Sequence, residues 1–175
     1  MPNQENIHLL TQLLSVIDSL SDSQFTHIEP TIYRSSIGSH VRHICDHYQM
    51  LLEGVGGGAI NYDERPRDAL IERNRGSARS RCENLIQQLQ DLQQFERPLT
   101  VTMDIAHFDT VSREPSCDTA ATAQVSSLGR ELAFLHSHTV HHQAMISFIM
   151  RLMNIAPMPD DLGIAPATIR FKESG

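Results

Sequence analysis

Histidine is the residue type whose number and spacing in this sequence point most directly to chemistry. The chain has 10 histidines, of which three lie in residues 40–47 and four in residues 136–142. Neutral imidazole is a common ligand of zinc, nickel, iron and copper ions. Several imidazoles in one apolar core would lose their hydration and compete for few hydrogen-bond partners, whereas one cation can bind all of their lone pairs. The two clusters therefore predict a metal site built from two segments.

The second cluster contains a pair with the spacing of metal ligands on one helix. His138 and His142 are four residues apart, so on an α-helix their side chains point in directions about 40° apart. Ile149 shares this face, which predicts that the pair points into the core. Zinc proteases use His-x-x-x-His pairs in this way. His141 flanks the pair, whereas His136 lies roughly opposite and is expected to face solvent.

The first cluster can supply a third ligand from another helix. His40, His43 and His47 span an arc of only about 60° beside an apolar stripe. Their spacing does not choose among the three, although His40 and His47 lie nearer the centre of the stripe. Cys45 points roughly 160° away from His47, which disfavours a thiolate ligand at that position.

Two carboxylates lie at helical spacing from the histidines. Glu131 precedes His138 by seven residues, so it lies on nearly the same face and is the predicted catalytic residue, either orienting a ligand or accepting a proton. The alternative is that a glutamate in the first turn simply favours the helix dipole. Asp46 follows His43 by three residues and could accept a hydrogen bond from an imidazole N–H, with an exposed charge as the alternative.

Six arginines between residues 65 and 81 lie in one stretch with the acidic residues Asp63, Glu64, Asp68 and Glu72. This pattern is typical of a solvated helix surface with salt bridges. An anion-binding lip over the histidine site is the alternative interpretation.

Four segments with helical periodicity must position these side chains. They cover about residues 7–17, 37–53, 67–96 and 127–153. The glycine-rich run at residues 54–58 is expected to end the second helix in a flexible turn. Residues 99–103 and 121–125 have the pattern of two antiparallel strands joined by a polar loop that contains Cys117. The prediction is an all-α fold: a four-helix bundle with a small β-hairpin between helices 3 and 4 and an irregular C-terminal tail.

The composition fits a single domain over residues 1–175. The net charge of −7 argues against nucleic acid as a partner, because nucleic-acid-binding proteins usually carry a basic surface. The three cysteines form no Cys-x-x-Cys pattern and are typical of reduced thiols. With no signal peptide pattern and no apolar run of about 18 residues, we expect a cytoplasmic protein that has no membrane partner.

Two strings of residues resemble motifs of a known superfamily. Residues 36–47 read Ser-Ile-Gly-Ser-His-Val-Arg-His-Ile-Cys-Asp-His, and residues 138–145 read His-Thr-Val-His-His-Gln-Ala-Met. They resemble the second helix and the last-helix His-x-x-x-His motif of the DinB-like four-helix-bundle metalloproteins. In that superfamily, one histidine of the second helix and two of the last helix bind a divalent metal ion, and water takes the remaining positions.

The resemblance implies a ligand set for this chain. By motif, the metal ligands are His43, His138 and His142. The side chains that would surround them, or serve as alternative ligands, are His47, His40, His141 and Asp46.

The resemblance also implies a function. Characterised DinB-like proteins include metal-dependent transferases and isomerases that act with low-molecular-weight thiols. We therefore expect a divalent-metal-dependent enzyme that activates a thiol or water against a small electrophilic substrate, and a homodimer is expected by the same resemblance. Zinc, nickel and iron are not distinguished by imidazole ligands. The alternative is a non-catalytic metal-binding or interaction bundle, in which the ion braces the fold.

Overall fold

The computed structural model describes residues 1–30, 34–103, 122–156 and 159–174. The predicted polar loop at residues 104–120, with Cys117, lies outside these residues. The elements in chain order are α1 (Pro2–Ser19), α2 (Asp22–Thr26), α3 (Ile37–Gly57), β1 (Ala59–Asn61), α4 (Ala69–Arg73), α5 (Arg75–Gln90), β2 (Pro98–Met103), β3 (Thr122–Ser127), α6 (Leu128–Leu152) and α7 (Pro166–Glu173). None of the described helices is long and apolar enough to cross a membrane.

The chain is mostly helical, with a small three-stranded sheet. Helix α1 packs against α5 and α6, and α3 packs against the same two helices. The apolar stripes predicted from the sequence meet between these helices, where Leu13, Ile44, Leu85 and Leu135 are fully buried. Burial of such side chains stabilises the fold by about 1.5–3 kcal/mol each relative to leaving them exposed.

The predicted hairpin is present, and it has a third strand that the sequence pattern did not indicate. Strand β2 pairs antiparallel with β3, with Leu99 opposite Ser126. Strand β1 pairs in parallel with the other edge of β2, with Ile60 opposite Val101. A segment of three residues is too short for alternation to reveal a strand.

Helix α3 is longer than predicted, because the glycine-rich run does not end it at Glu53. The helix continues to Gly57, and Gly58 caps it in the left-handed conformation with φ of 76°. Gly54 is needed for packing: a Cβ there would lie 2.4 Å from the backbone oxygen of Ala59. The run therefore joins α3 closely to β1 instead of forming a flexible turn.

The third predicted helix is two helices, broken at Asn74. This residue has extended backbone angles, and its side chain accepts a hydrogen bond from the backbone N–H of Ser77 at 2.8 Å. Asparagine is a preferred N-cap, so it begins α5 where periodicity alone predicted a continuous helix. In α5, Cys82 is buried with its Sγ atom 3.6 Å from that of Cys45, and both thiols are free.

The prediction of an irregular C-terminal tail is wrong, because the tail contains helix α7. Pro166 begins this helix, a position that suits its fixed φ. Before it, Leu162 is buried and Gly163 has φ of 76°. A Cβ at Gly163 would lie 2.2 Å from the backbone nitrogen of Ala144. The tail therefore packs closely against α6.

Candidate metal centre

Helices α3 and α6 bring four imidazole rings together. Ser36 caps α3 through the backbone N–H of Ser39, and Ser127 caps α6 through that of Arg130. Across the two helices, the ring centroids of His43 lie 5.0 Å from His138 and 4.5 Å from His142. The ring of His47 lies 4.2 Å from that of His138. Both histidine clusters therefore face each other, as their spacing predicted.

Three of these rings offer ligand atoms that converge on one point. The available ring nitrogens of His43, His47 and His138 lie within 4.8 Å of one another. Two of the three, His43 and His138, are also in the ligand set predicted from the motif. The third predicted ligand, His142, has its ring centroid 4.5 Å from that of His138. His47 and His142 are thus both close enough to be considered as the third ligand.

The hydrogen bonds of two rings leave ligand atoms available. Nδ1 of His47 lies 2.8 Å from the backbone oxygen of His43. Because a carbonyl only accepts, this Nδ1 carries the hydrogen, and Nε2 keeps its lone pair. Nδ1 of His142 lies 2.9 Å from Nδ1 of His40, so one of these two nitrogens donates to the other. Ligands of metal ions usually donate their second ring nitrogen to such a partner.

His138 provides the clearest sign of a missing partner. Its Nε2 atom is buried and has no hydrogen-bond partner among the described residues. Leaving a buried polar atom unsatisfied costs about 1–3 kcal/mol. A divalent cation among the converging nitrogens would accept this lone pair. The donor set of neutral imidazoles therefore fits the metal ion expected of this site.

Burial holds the cluster in the neutral form that binds metals. Burial lowers the pKa of His40, His47 and His138 to about 4 each. For His43 and His142, burial and then the neighbouring histidines lower the pKa to about 2 and about 3. The rings are therefore unprotonated at neutral pH, with a lone pair on each.

The other side chains predicted around the ligands have different positions. His40 is buried beside His142, whereas His141 is exposed, with its ring centroid 5.2 Å from that of His142. Asp46 is fully buried, and its Oδ2 accepts a hydrogen bond from Arg42 at 2.9 Å. Its Oδ1 has no hydrogen-bond partner within the described part of the chain. The structure therefore does not bring Asp46 to an imidazole N–H.

Glu131 is connected to the imidazole cluster through a residue that the sequence did not single out. Glu131 is fully buried, and its Oε2 accepts a hydrogen bond from the hydroxyl of Tyr62 at 3.0 Å. Its Oε1 accepts hydrogen bonds from Ser126 and Arg130. The ring of Tyr62 stacks on that of His47, with centroids 5.6 Å apart. Tyr62 follows β1 in a turn, where no periodicity could have indicated its role.

A small cavity lies beside this group, between the sheet and α6. Its volume is about 220 Å³, and its lining includes Val101, Met103, Ser126, Arg130, Glu131 and Phe134. The ring centroid of Phe134 lies 5.6 Å from that of His138 and 5.5 Å from that of Tyr62. The cavity therefore adjoins the histidines through Phe134 and has the mixed lining of a small-molecule site.

Three of the six arginines between residues 65 and 81 form the salt-bridged surface predicted from the sequence, in the pairs Arg75–Asp22, Arg79–Asp18, Arg79–Glu83 and Arg81–Asp68. Arg65 shares in no such pair with a described residue. It donates a hydrogen bond to the backbone oxygen of Tyr62 instead.

Comparison with known proteins identifies the family of this chain. The sequence model of the DinB superfamily matches residues 8–146. FK506-binding protein 5 of Rhizopus delemar is 26% identical over 113 residues, which cover 63% of this chain and 27% of that protein. The chain thus spans about a quarter of the length of the curated relative that it matches. The superfamily match includes α3, the sheet and the histidines of α6, and the chain belongs to the DinB superfamily.

Proposed function

We propose that this chain is a divalent-metal-dependent enzyme with a four-helix bundle of the DinB type. Its reaction would be attack of a low-molecular-weight thiol, or of water, on a small electrophilic substrate. Transfer to sulfur, isomerisation and hydrolysis all fall within this chemistry. The observation that carries the proposal is the convergence of three imidazole nitrogens within 4.8 Å of one another, between α3 and α6.

His43 and His138 are the two proposed ligands that both the distances between ligand atoms and the superfamily motif support. The third position has two candidates: His142 from the superfamily motif, and His47 from the distances between ligand atoms. Either choice gives a site with three protein ligands, the usual number in a catalytic zinc site, and here all three are neutral imidazoles. When bound here, a divalent cation would supply the positive charge that lowers the pKa of a thiol or water in contact with it.

The chain's own residues would position a substrate next to the ligands. The cavity of about 220 Å³ is large enough for a small molecule, and Phe134 and Met103 provide apolar contacts within it. Glu131 would act as a positioning residue, because it accepts a hydrogen bond from the hydroxyl of Tyr62, whose ring stacks on that of His47. Burial raises the pKa of Tyr62, so its hydroxyl keeps its proton and continues to donate to Glu131.

The proposal includes the expected partners. Imidazole ligands suit zinc, nickel and iron alike, so the metal available in the cell would decide which one is bound. A low-molecular-weight thiol as co-substrate agrees with a cytoplasmic, reducing location, where buried free thiols such as Cys45 and Cys82 persist. A homodimer is part of the proposal by family membership alone, and sedimentation of the purified chain would test it.

Metal analysis of purified variants tests the site. We expect about one divalent ion per chain in the wild type, as in other three-histidine sites. His43→Ala and His138→Ala should lose the ion. Loss in only one of His47→Ala and His142→Ala would identify the third ligand. His136→Ala is the matched control, since this histidine of α6 lies outside the cluster. Retention of the ion by both His43→Ala and His138→Ala would overturn the proposal.

Activity is tested separately on the metal-loaded protein. A suitable assay is transfer of a small thiol to a chloronitrobenzene, before and after removal of the ion by a chelator. We expect the transfer to stop on chelation and to return when the ion is restored. A metal-loaded protein that transfers no thiol and hydrolyses no small ester would contradict the enzymatic part of the proposal.

A non-catalytic metal-binding module is the second candidate, and one observation favours it. The ring of His142 lies 4.5 Å from those of both His43 and His138, so a fourth imidazole could fill the open position. Four protein ligands are typical of a structural site. This candidate predicts that both His47→Ala and His142→Ala weaken metal binding, and that chelation strongly lowers the melting temperature. The enzymatic proposal expects the fold to survive chelation.

A further inference from the structure

Arg65 occupies an unusual position beside the imidazole cluster. It lies in the segment between β1 and α4 and is half-buried. Its guanidinium donates a hydrogen bond to the backbone oxygen of Tyr62, the residue whose ring stacks on His47. The backbone of this segment therefore holds a positive charge next to the proposed metal ligands.

The guanidinium of Arg65 has a donor that the described chain does not satisfy. Its Nε atom is buried and has no hydrogen-bond partner among the described residues. By contrast, the Nε atoms of Arg42 and Arg75 each donate to a carboxylate at 2.9 Å. A buried donor without a partner is costly, and an arginine offers five N–H groups in a planar fork that matches an oxyanion. The missing partner of Arg65 is therefore best supplied by a bound anion.

The charge of Arg65 acts on the histidines themselves. Burial is the main cause of the lowered pKa values of His43, His47 and His138, and the positive charge of Arg65 lowers each of them further. These are the three histidines whose ligand atoms converge. An anion bound by Arg65 would thus lie within electrostatic reach of the same cluster.

We propose that Arg65 is a binding site for a carboxylate group of the substrate, adjacent to the histidine cluster. The inference rests on the proposed function, because it assigns a substrate class to that site. A carboxylate fits because a single guanidinium balances its single charge and can bind both of its oxygens. Arg65 does not line the cavity of about 220 Å³, which approaches this position through Phe134, whose ring centroid lies 5.5 Å from that of Tyr62. The substrate class is therefore a carboxylic acid that also carries an electrophilic centre.

A structural role for Arg65 is the competing explanation. Burial raises the pKa of Asp46, and the positive charge of Arg65 has a smaller effect in the opposite direction. If Arg65 served only to balance Asp46, removing it would destabilise the fold, and Asp46→Asn would restore stability. Asp46 already has a charged partner in Arg42, with 2.9 Å between the paired atoms. The two explanations differ in whether Arg65 contacts an added carboxylate.

The direct test follows the Nε–H resonance of Arg65 by nitrogen-15 NMR while acetate is added. Arg65→Lys identifies the resonance by removing it. The titration is run on the Zn²⁺-loaded and on the metal-free protein, with acetamide as the uncharged control ligand. We expect a saturable shift with acetate and none with acetamide. In the Zn²⁺-loaded protein, Arg65→Gln should weaken acetate binding by about 10-fold or more, the loss expected for a charged hydrogen bond.

A matched variant separates this effect from a change in net charge. Arg73 is exposed at the end of α4, and Arg73→Gln removes the same charge without touching the site. It should leave the acetate affinity within about twofold, since exposed charges are strongly screened by salt.

The outcomes distinguish the inference from the function on which it rests. If the protein binds no Zn²⁺ but acetate still shifts the Nε–H resonance of Arg65, the metal site is refuted and the carboxylate site is retained. Zn²⁺ binding without a shift in either form would overturn the carboxylate site alone. An Arg65→Gln protein that is unstable, rescued by Asp46→Asn and unchanged in acetate affinity would likewise overturn it in favour of the structural role.

Discussion

At the scale of single residues, Tyr62 and Glu131 connect the imidazole cluster to the cavity beside it. We expect Tyr62→Phe to lower the free energy of unfolding by about 1–3 kcal/mol, because buried Glu131 loses one of its donors. Burial of the carboxylate is complete, so water cannot easily replace the hydroxyl. Urea denaturation of the metal-free protein measures the change.

A double-mutant cycle is the control for this prediction. A hydrogen bond to a carboxylate is roughly twice as strong as one to a neutral acceptor. Tyr62→Phe should therefore cost less in a Glu131→Gln background than in the wild type. Equal costs in the two backgrounds would mean that the hydroxyl stabilises the fold through some other contact.

For the residues of the candidate site, the sequence predicted the helix face on which each one lies but not which side chains converge. Periodicity placed both histidine clusters toward a shared interior, where the rings of His43, His138 and His142 lie close together, but only the superfamily motif singled out His43. Which nitrogens converge depends on rotamers and on the rotation of α3 against α6, which sequence spacing does not determine. His47 belongs to the converging group for this reason. Tyr62 reaches the site from a turn, through a contact between residues far apart in sequence.

At the scale of elements, the junction between α3 and β1 depends on one glycine of the run at residues 54–58. A Cβ at Gly54 would lie 2.4 Å from the backbone oxygen of Ala59 and 2.7 Å from Cγ1 of Ile60. Gly54→Ala should therefore destabilise the fold by about 1–3 kcal/mol, as overpacking of a close contact usually does. Thermal or urea unfolding measures this loss.

Gly56 provides a matched control in the same helix. A Cβ there meets no atom within 4 Å among those described. Alanine has the higher helix propensity, so Gly56→Ala should stabilise the protein by about 0.5–1 kcal/mol. If the two substitutions changed stability equally, the close approach of α3 to β1 would not explain the role of Gly54.

The same junction shows why the boundaries of elements were less predictable than their existence. The helices and the hairpin were indicated by periodicity, because each buries one apolar stripe or face. The end of α3, the break at Asn74 and the formation of β1 depend on local capping and tertiary packing. A glycine run that ends an isolated helix can continue one when a neighbouring strand packs against it.

At the scale of the whole molecule, the buried imidazoles link folding stability to pH. The pKa of each of five histidines is lowered well below its ordinary value of about 6.5. These are His40, His43, His47, His138 and His142. The unfolded chain therefore binds more protons than the folded chain at mildly acidic pH. It follows that stability is complete above about pH 6.5 and declines as the pH falls toward 4, where the native rings begin to protonate.

The prediction is a metal-free protein whose urea midpoint decreases steadily between pH 7 and pH 5. The metal-loaded protein should lose its ion over a similar range, because protons compete with the cation for the same lone pairs. Several histidines contribute to the dependence of the urea midpoint on pH. His47→Ala removes one histidine with a lowered pKa and should therefore make this dependence less steep in the metal-free protein. A midpoint independent of pH over this range would contradict a cluster of neutral, buried imidazoles and with it the basis of the metal site.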